Sequence, residues 1–277
     1  MSERNGFSHG VPCWVDTWQN DPGPTVAFYE GIFGWETENV RPPDAHEVYF
    51  MCRLRGRDVT AVGAPIPDGA PPTPVWTTYI WVDSADETAA RAKAAGGSLV
   101  IEPAPFDSAD GGRMAVIADP EGAVFVAWEP EEHRGAQLVN EPGAWSMSVL
   151  NTRDPDRATA FYSELFGWES EAFAMGGAAM VLFRLPGYEG GEPLQPVPRD
   201  MVAVMIEMDA HGLPKEMPPN WSVDFWIDDA DAAVARAPEM GGAVIVPPSD
   251  SPTFRQAVIA DPGGAVMSIS QLLLPPR

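Results

Sequence analysis

Ten consecutive positions occur twice in this chain. Residues 27–36 read Ala-Phe-Tyr-Glu-Gly-Ile-Phe-Gly-Trp-Glu, and residues 160–169 read Ala-Phe-Tyr-Ser-Glu-Leu-Phe-Gly-Trp-Glu, 133 positions later. Chance does not reproduce such a run, so the chain is a tandem duplication and its halves are to be read in register. Each copy has the marks of a short helix. Asp21-Pro22 and Asp154-Pro155 stand just ahead, an acidic N-cap with proline in the first turn. Phe28 and Ile32, like Phe161 and Leu165, are spaced to share one buried face against a sheet, and Gly34 and Gly167 suit left-handed C-caps. Trp35 and Trp168 then lead into the next strand.

The rest of the chain falls into the same register. Residues 11–18 read as a strand with Trp14, Asp16 and Trp18 on one face. Strands are expected at 48–54 and 58–64, and five prolines make 65–75 an irregular connector. Residues 76–83 form an aromatic, β-branched strand. A helix capped by Ser84 and Glu87 follows and ends at Gly96-Gly97. Strands at 98–101, 113–118 and 124–128 follow, the last two joined by the turn Asp119-Pro120-Glu121-Gly122. The polar segment 131–144 reads as a linker between residues 1–130 and 145–277. In the second half, strands are expected at 145–151, 180–185, 202–208 and 221–228. Gly241-Gly242 and Asp261-Pro262-Gly263-Gly264 repeat the earlier signals.

The chain has 277 residues, enough for two domains with packed cores, and 45% of them are hydrophobic. A net charge of −23 argues against nucleic acid or an anionic membrane as partner. No apolar run reaches spanning length, the start lacks a signal-peptide pattern, and Cys13 and Cys52 make no disulfide framework. A cytoplasmic protein is the expectation.

The Phe-Tyr-x-x-[Ile/Leu]-Phe-Gly-Trp run with its aspartate seven residues ahead resembles the vicinal oxygen chelate superfamily. So do the Asp-x-Ala-Asp helix starts with their Gly-Gly ends, and the Asp-Pro-x-Gly turns. That superfamily includes glyoxalase I, bleomycin-resistance proteins and extradiol dioxygenases. The likeness covers both halves. More narrowly, the chain is similar to tandem glyoxalase-like proteins of actinomycetes, some of which belong to aromatic-polyketide pathways. The resemblance implies an α+β fold, with each domain built of two paired βαβββ modules forming a cupped mixed sheet.

In that superfamily a divalent metal usually sits in the cup on His, His and Glu from the first, fifth and last strands. The matching positions here are Trp14, Thr77 and Val126 in the first half, and Met147, Ser222 and Ser268 in the second. None is a good metal ligand. His9, His46, His133 and His211 lie before the first strand, in loops or in the linker, and read as surface or loop histidines. No metal or cofactor is therefore expected.

The cup faces are instead expected to carry Trp14, Asp16, Trp18, Thr77, Tyr79, Trp81, Val126 and Trp128 in the first half. In the second they carry Met147, Val149, Ser222, Asp224, Trp226, Ser268 and Ser270. Trp14, Trp76, Trp81, Trp128, Trp221 and Trp226 lie on or beside these faces, as does Trp18. Such walls suit a flat apolar ligand; they equally suit a filled core or an interface between halves. Trp14, Thr77, Trp81, Val126, Trp128, Met147, Ser222, Trp226 and Ser268 are the candidate ligand contacts. Asp224, Asp16 and Tyr79 are the candidate proton-transfer groups, with a purely hydrogen-bonding role for Asp224, toward Ser222 or a ligand hydroxyl, as the alternative. Two functions lead at this point, ahead of a metal enzyme whose ligands this register misses, the weakest reading, and of a purely structural role. One is metal-free binding of an aromatic or polyketide-like molecule in antibiotic resistance or secondary metabolism. The other is a metal-independent isomerase, lyase or hydroxylase-like tailoring enzyme with an Asp general base. Either protein would be a monomer with pseudo-twofold halves or a homodimer.

Overall fold

The computed structural model describes residues 3–67, 72–106, 111–175, 178–190 and 198–273. Parts of the proline-rich connector at 65–75 and of the loop at 186–200 lie outside them.

The first half runs β1 (Pro12–Trp18), α1 (Pro22–Phe33), β2 (Glu36–Asn39), β3 (Val48–Leu54) and β4 (Arg57–Ala64), then β5 (Trp76–Trp81), α2 (Ala85–Ala94), β6 (Ser98–Pro105), β7 (Gly112–Ala118) and β8 (Val124–Pro130). The second repeats it as β9 (Trp145–Thr152), α3 (Pro155–Phe166), β10 (Glu169–Met175), β11 (Ala178–Arg184) and β12 (Met201–Glu207), then β13 (Asn220–Trp226), α4 (Ala230–Glu239), β14 (Ala243–Asp250), β15 (Phe254–Ala260) and β16 (Val266–Leu272). Each half is one eight-stranded mixed sheet, β2-β3-β4-β1-β5-β8-β7-β6 and β10-β11-β12-β9-β13-β16-β15-β14. In both, the first strands of the two modules pair antiparallel at the centre (β1 with β5, β9 with β13). The expected architecture of paired βαβββ modules is the observed one.

The local signals behave as their chemistry requires. Asp21 accepts from Gly23 N at 3.2 Å and Asp154 from Arg157 N at 3.1 Å, satisfying orphan helix donors. Gly34 and Gly167 hold φ of 70° and 71°. The Gly-Gly ends divide two tasks. Gly96 and Gly241 take left-handed φ of 92° and 85°. Gly97 and Gly242 are small because an aromatic ring from the other half lies against them. A Cβ on Gly97 would stand 2.9 Å from Phe161 Cε2, and one on Gly242 2.5 Å from Phe28 Cε2.

That close approach shows how the halves join. The two sheets meet through their helix-bearing faces, where Thr78 of β5 and Ser148 of β9 are hydrogen-bonded at 2.7 Å. One core cluster combines Phe28, Tyr29 and Phe33 of α1 with Phe225 of β13, Ala233 of α4 and Ile269 of β16. The other combines Phe161, Tyr162 and Phe166 of α3 with Ala89 of α2 and Phe125 of β8. Each repeated helix thus packs its aromatic stripe into the opposite half.

Segment 131–144 is not the exposed tether its polarity suggests. Ala136, Leu138, Val139 and Ala144 are buried in the first cluster, Ala136 N donates to Cys13 O at 2.8 Å, and Gln137 N donates to Asp58 O at 2.7 Å. Four small or apolar residues at the right places outweigh the surrounding charge.

Candidate functional site

With helices filling the space between the sheets, the concave faces turn outward. Strand register decides what stands at the centre of each. In the first cup Trp14 is opposite Tyr79, and Tyr79 is level with Val126. In the second, Met147 is opposite Asp224, and Asp224 is level with Ser268. Thr77 and Ser222 lie two residues further along, opposite Asp16 and Val149. Tyr79 and Asp224 are therefore the central fifth-strand residues.

The first cup is filled by its own side chains. Trp14, Val126, Trp128, Tyr79 and Trp81 are all buried, at 1%, 2%, 2%, 7% and 9% exposure. Tyr49 and Phe106 close over them, their rings 6.3 Å apart, with Phe106 also 5.8 Å from Trp128. His133 is not a surface histidine: its ring stands edge-on to Trp14 at 4.6 Å and near Trp128 at 5.8 Å. Thr77, Trp18 and Val116 are half-buried at the remaining opening. At the base lies Asp16. Its Oδ2 accepts from Tyr79 Oη at 2.8 Å, Tyr49 Oη at 3.0 Å and Trp18 Nε1 at 3.3 Å. Trp14 Nε1 in turn donates to Tyr49 Oη at 3.2 Å. Asp16 Oδ1 is buried without a hydrogen-bond partner among the described residues. Loss of hydration pushes its pKa up to about 6, and the three donors hold it from rising further.

Among the described residues, the second cup is the more open. Its counterparts of Trp14, Tyr79, Val126 and Trp128 are Met147, Asp224, Ser268 and Ser270, so far less side-chain volume stands on the sheet. Met147, Val149, Ser222, Trp226 and Ser268 are half-buried. Asp224 is buried. Its Oδ1 accepts from Ser270 Oγ at 2.6 Å and its Oδ2 from Ser146 Oγ at 2.6 Å, while Gln256 Nε2 donates to Ser270 Oγ at 3.0 Å. The partners are thus Ser146 and Ser270, not Ser222. A β-bulge between Asp224 and Phe225 accompanies the approach of Ser146. Ser222 instead donates to Val149 O at 3.3 Å and accepts from Asn151 Nδ2 at 3.1 Å. Burial pushes the Asp224 pKa up to about 6, the two serine hydroxyls opposing the rise.

Beside Asp224 a cleft of about 70 Å³ is lined by Trp145, Ser146, Met147, Val202, Trp226 and Phe254, with Arg4 and Phe7 reaching over from the first half. The Trp226 and Phe254 rings lie 6.2 Å apart.

Two of the tryptophans expected on or beside the cups face the other way. Trp76 lies steeply inclined between Tyr29 at 5.5 Å and Phe225 at 5.0 Å, and Trp221 Nε1 donates to Tyr162 Oη at 3.0 Å. Both belong to the core between the sheets, because each is one residue out of phase with the cup positions. Sequence reasoning passed over Tyr49, whose alternation with Met51 on β3 places it in the first cup. It also passed over Ser146 and the contribution of Arg4 and Phe7, for which no local signal exists.

Neither donor set fits a divalent metal. Tyr79 stands with Trp14 and Val126 in the first cup, Asp224 with Met147 and Ser268 in the second, and among the described residues no three of His, Cys, Asp or Glu come together. Cys13 and Cys52 are free and buried, and burial pushes both thiols up, so neither is poised as a thiolate. No helix among the described residues is long and apolar enough to cross a membrane.

The comparisons with known proteins agree with this frame. Residues 14–126 match the Glyoxalase/Bleomycin resistance protein/Dioxygenase superfamily and residues 147–270 match a glyoxalase-like domain. CFP32 of Mycobacterium tuberculosis, whose name proposes a glyoxylase, is 38% identical over 274 residues, 97% of each chain. The anthracycline biosynthesis protein DnrV of Streptomyces peucetius is 31% identical over 278 residues, 96% of this chain and 94% of that one. Among solved structures, the Mn(II)-bound glyoxalase of Novosphingobium aromaticivorans superposes with a TM-score of 0.63 at 18% identity, covering 96% of this chain and 83% of that one. The 2,3-dioxygenase LapB of Pseudomonas sp. KL28 gives 0.58 at 13% identity, covering 96% and 95%. These two show the fold alone. With both halves matched by its models, with relatives similar from end to end, and with the duplicated βαβββ pair as its architecture, the chain belongs to the glyoxalase/bleomycin resistance protein/dioxygenase superfamily.

Proposed function

We propose that this protein binds a flat aromatic, polyketide-like small molecule without a bound metal, in secondary metabolism or antibiotic resistance, and that the second cup is the site. The observation that carries the reading is the contrast between the cups. The first has its indoles buried and packed against Tyr79, Phe106 and His133, whereas the second leaves Met147 and Trp226 half-buried beside the buried carboxylate of Asp224. Small-molecule sites typically hold about 300–1,000 Å³. The cleft therefore takes one edge of a planar molecule, and the open sheet face takes the rest. Trp226 and Phe254 supply an aromatic wall, while Ser146, Ser270 and Asp224 offer polar contacts for a ligand hydroxyl. The relatedness to an anthracycline biosynthesis protein supports a polycyclic aromatic ligand. Titration with an anthraquinone panel, read by tryptophan fluorescence, tests it: saturable quenching that Trp226→Ala weakens is the expected result, and no quenching by any member removes the reading.

A second reading is favoured by one further observation. Asp224 is buried with a pKa near 6 at the foot of an open cup, as a general base requires. In that role its carboxylate takes a proton from the ligand, becomes the neutral acid, and leaves the electron pair on the ligand to drive an isomerisation or elimination. Asp16 and Tyr79, bonded to each other in the filled cup, are less accessible for such chemistry. Mass spectrometry of candidate ligands incubated with wild type and Asp224→Asn separates the two: a product formed by wild type alone identifies an enzyme.

A further inference from the structure

Three cup positions differ together between the halves. Where the first has Cys13, Tyr79 and Trp128, the second has Ser146, Asp224 and Ser270. Cys13 and Ser146 each stand in a β-bulge near the start of the first strand of their half. Each reaches the backbone carbonyl of the residue opposite: Cys13 Sγ lies 3.6 Å from Tyr79 O, and Ser146 Oγ lies 3.0 Å from Asp224 O. The second half thus keeps the backbone arrangement and exchanges a thiol, a phenol and an indole for two hydroxyls and a carboxylate.

The protons fix the polarity of this set. Above its pKa of about 6 the Asp224 carboxylate only accepts, as a backbone carbonyl does. The Ser146 proton is therefore committed to Asp224, and the Ser270 proton to Asp224 Oδ1 at 2.6 Å. Ser270 Oγ already accepts from Gln256 Nε2 at 3.0 Å. Ser146 Oγ lines the cleft beside Trp226 and Phe254, and it and the carboxylate behind it turn lone pairs, not protons, toward a ligand. Ser268, half-buried and level with Asp224, is a hydroxyl that can donate or accept. The filled cup shows how this chain satisfies such acceptors. There the buried carboxylate of Asp16 accepts from two phenols, Tyr79 at 2.8 Å and Tyr49 at 3.0 Å, beneath a wall of indoles. Among the described residues, the side-chain donors to Asp224 are the two serines.

We infer that the second cup selects a planar aromatic by an un-ionised hydroxyl, which donates to Ser146 Oγ and the Asp224 carboxylate and accepts from Ser268, so that phenols and alcohols are preferred over their ethers and over carboxylates. An ether sets acceptor against acceptor, and a carboxylate meets like charge in a partly desolvated site. A ligand ammonium meets the same acceptors, but only a hydroxyl also accepts from Ser268. The inference rests on the reading that this cup binds planar aromatics.

The test uses the full chain and probes that differ in one substituent: 2-(hydroxymethyl)anthraquinone, its methyl ether, anthraquinone-2-carboxylate and 2-(aminomethyl)anthraquinone. Each is titrated above the Asp224 pKa, at slightly alkaline pH, by tryptophan quenching. Wild type should bind the alcohol about tenfold more tightly than the ether, the scale of a charge-assisted hydrogen bond, and the carboxylate more weakly still. Asp224→Asn replaces one acceptor by an amide donor and frees a serine proton toward the cup, so the alcohol should lose most of its lead over the ether. A melting curve shows whether that variant is folded, and the wild-type ranking decides without it. Equal binding of alcohol and ether by wild type, a lead that folded Asp224→Asn keeps in full, or an amine that binds more tightly than the alcohol overturns the inference and leaves the aromatic-binding reading standing. Binding of no probe overturns both.

Discussion

Tyr29 of the first half donates its phenolic hydroxyl to Asp261 of the second at 2.8 Å, and its repeat, Tyr162, makes the same bond to Asp119 of the first at 3.1 Å. The Phe-Tyr helix of each half is thereby joined to the Asp-Pro-x-Gly turn of the other. Each aspartate uses its second oxygen to close its own turn: Asp119 Oδ1 accepts from Glu121 N and Ala123 N, and Asp261 Oδ1 from Gly264 N and Ala265 N. One carboxylate thus serves a local turn and the interface between halves. Burial raises the pKa of both aspartates, and the turn amides and the tyrosine hydroxyl oppose the rise.

Removing either hydroxyl should weaken the whole chain, and not equally. Tyr162→Phe strips Asp119 Oδ2 of its donor and Trp221 Nε1 of its acceptor. Tyr29→Phe leaves Asp261 Oδ2 still bonded to Gln19 Nε2 at 2.9 Å. Hydrogen bonds to charged groups contribute about 1.5–3 kcal/mol, so Tyr162→Phe should fall at the upper end and Tyr29→Phe at the lower. Urea unfolding of the two variants checks the order.

Asp16 makes stability depend on pH. Its folded pKa of about 6 lies above the ordinary value of 3.8. The buried acid therefore holds its proton more tightly in the folded chain than in the unfolded one. The stability it contributes is fully present below about pH 4 and is lost as pH rises through 6, a change of about 3 kcal/mol at full effect. Asp16→Asn should flatten the melting-temperature profile between pH 4 and 7 relative to wild type. Parallel profiles would show that Asp16 does not titrate there.

The two cups should answer differently to loss of an indole. Trp226→Ala should weaken aromatic ligands by roughly 1–3 kcal/mol with little effect on folding, because the ring is half-buried on an open face. Trp14→Ala should instead cost about 3–5 kcal/mol of stability, since it empties a fully buried site and leaves Tyr49 without a donor. Calorimetric melting and ligand titration of both variants distinguish the roles.

Asp224→Asn keeps the shape and removes the charge. Under the binding reading, affinity for a neutral aromatic should stay nearly intact. Under the enzymatic reading, turnover should vanish while the ligand still binds, and the wild-type rate should rise with pH through about 6 as the carboxylate ionises. A pH–rate profile with single-turnover analysis decides.

Metal content is checked directly. With no cluster of three suitable side chains among the described residues, elemental analysis of purified protein should return far less than one manganese, zinc, iron or nickel per chain. Adding any of these should not raise the melting temperature. A stoichiometric metal that a single substitution abolishes would contradict the metal-free reading.

What the sequence determined by itself is local or periodic. The duplication, the capping aspartates, the left-handed glycines, the Asp-Pro-x-Gly turns and the alternation that put Asp16, Tyr79 and Asp224 on cup faces all follow from backbone geometry and hydrogen bonds within a few residues. Tertiary structure decided which face of a strand meets which neighbour across the long connections. It turned Trp76 and Trp221 into the core between sheets, drew 131–144 and His133 inward, and paired Tyr29 with Asp261 over 232 positions. It also closed one cup and, among the described residues, left the other more open. Alternation places Trp14 and Met147 on equivalent faces, but only the assembled sheet shows that Trp14, Tyr79 and Trp128 together fill a cup that Met147, Asp224 and Ser270 cannot. Side-chain volume is summed over strands brought together by the fold, and no segment of the chain carries that sum.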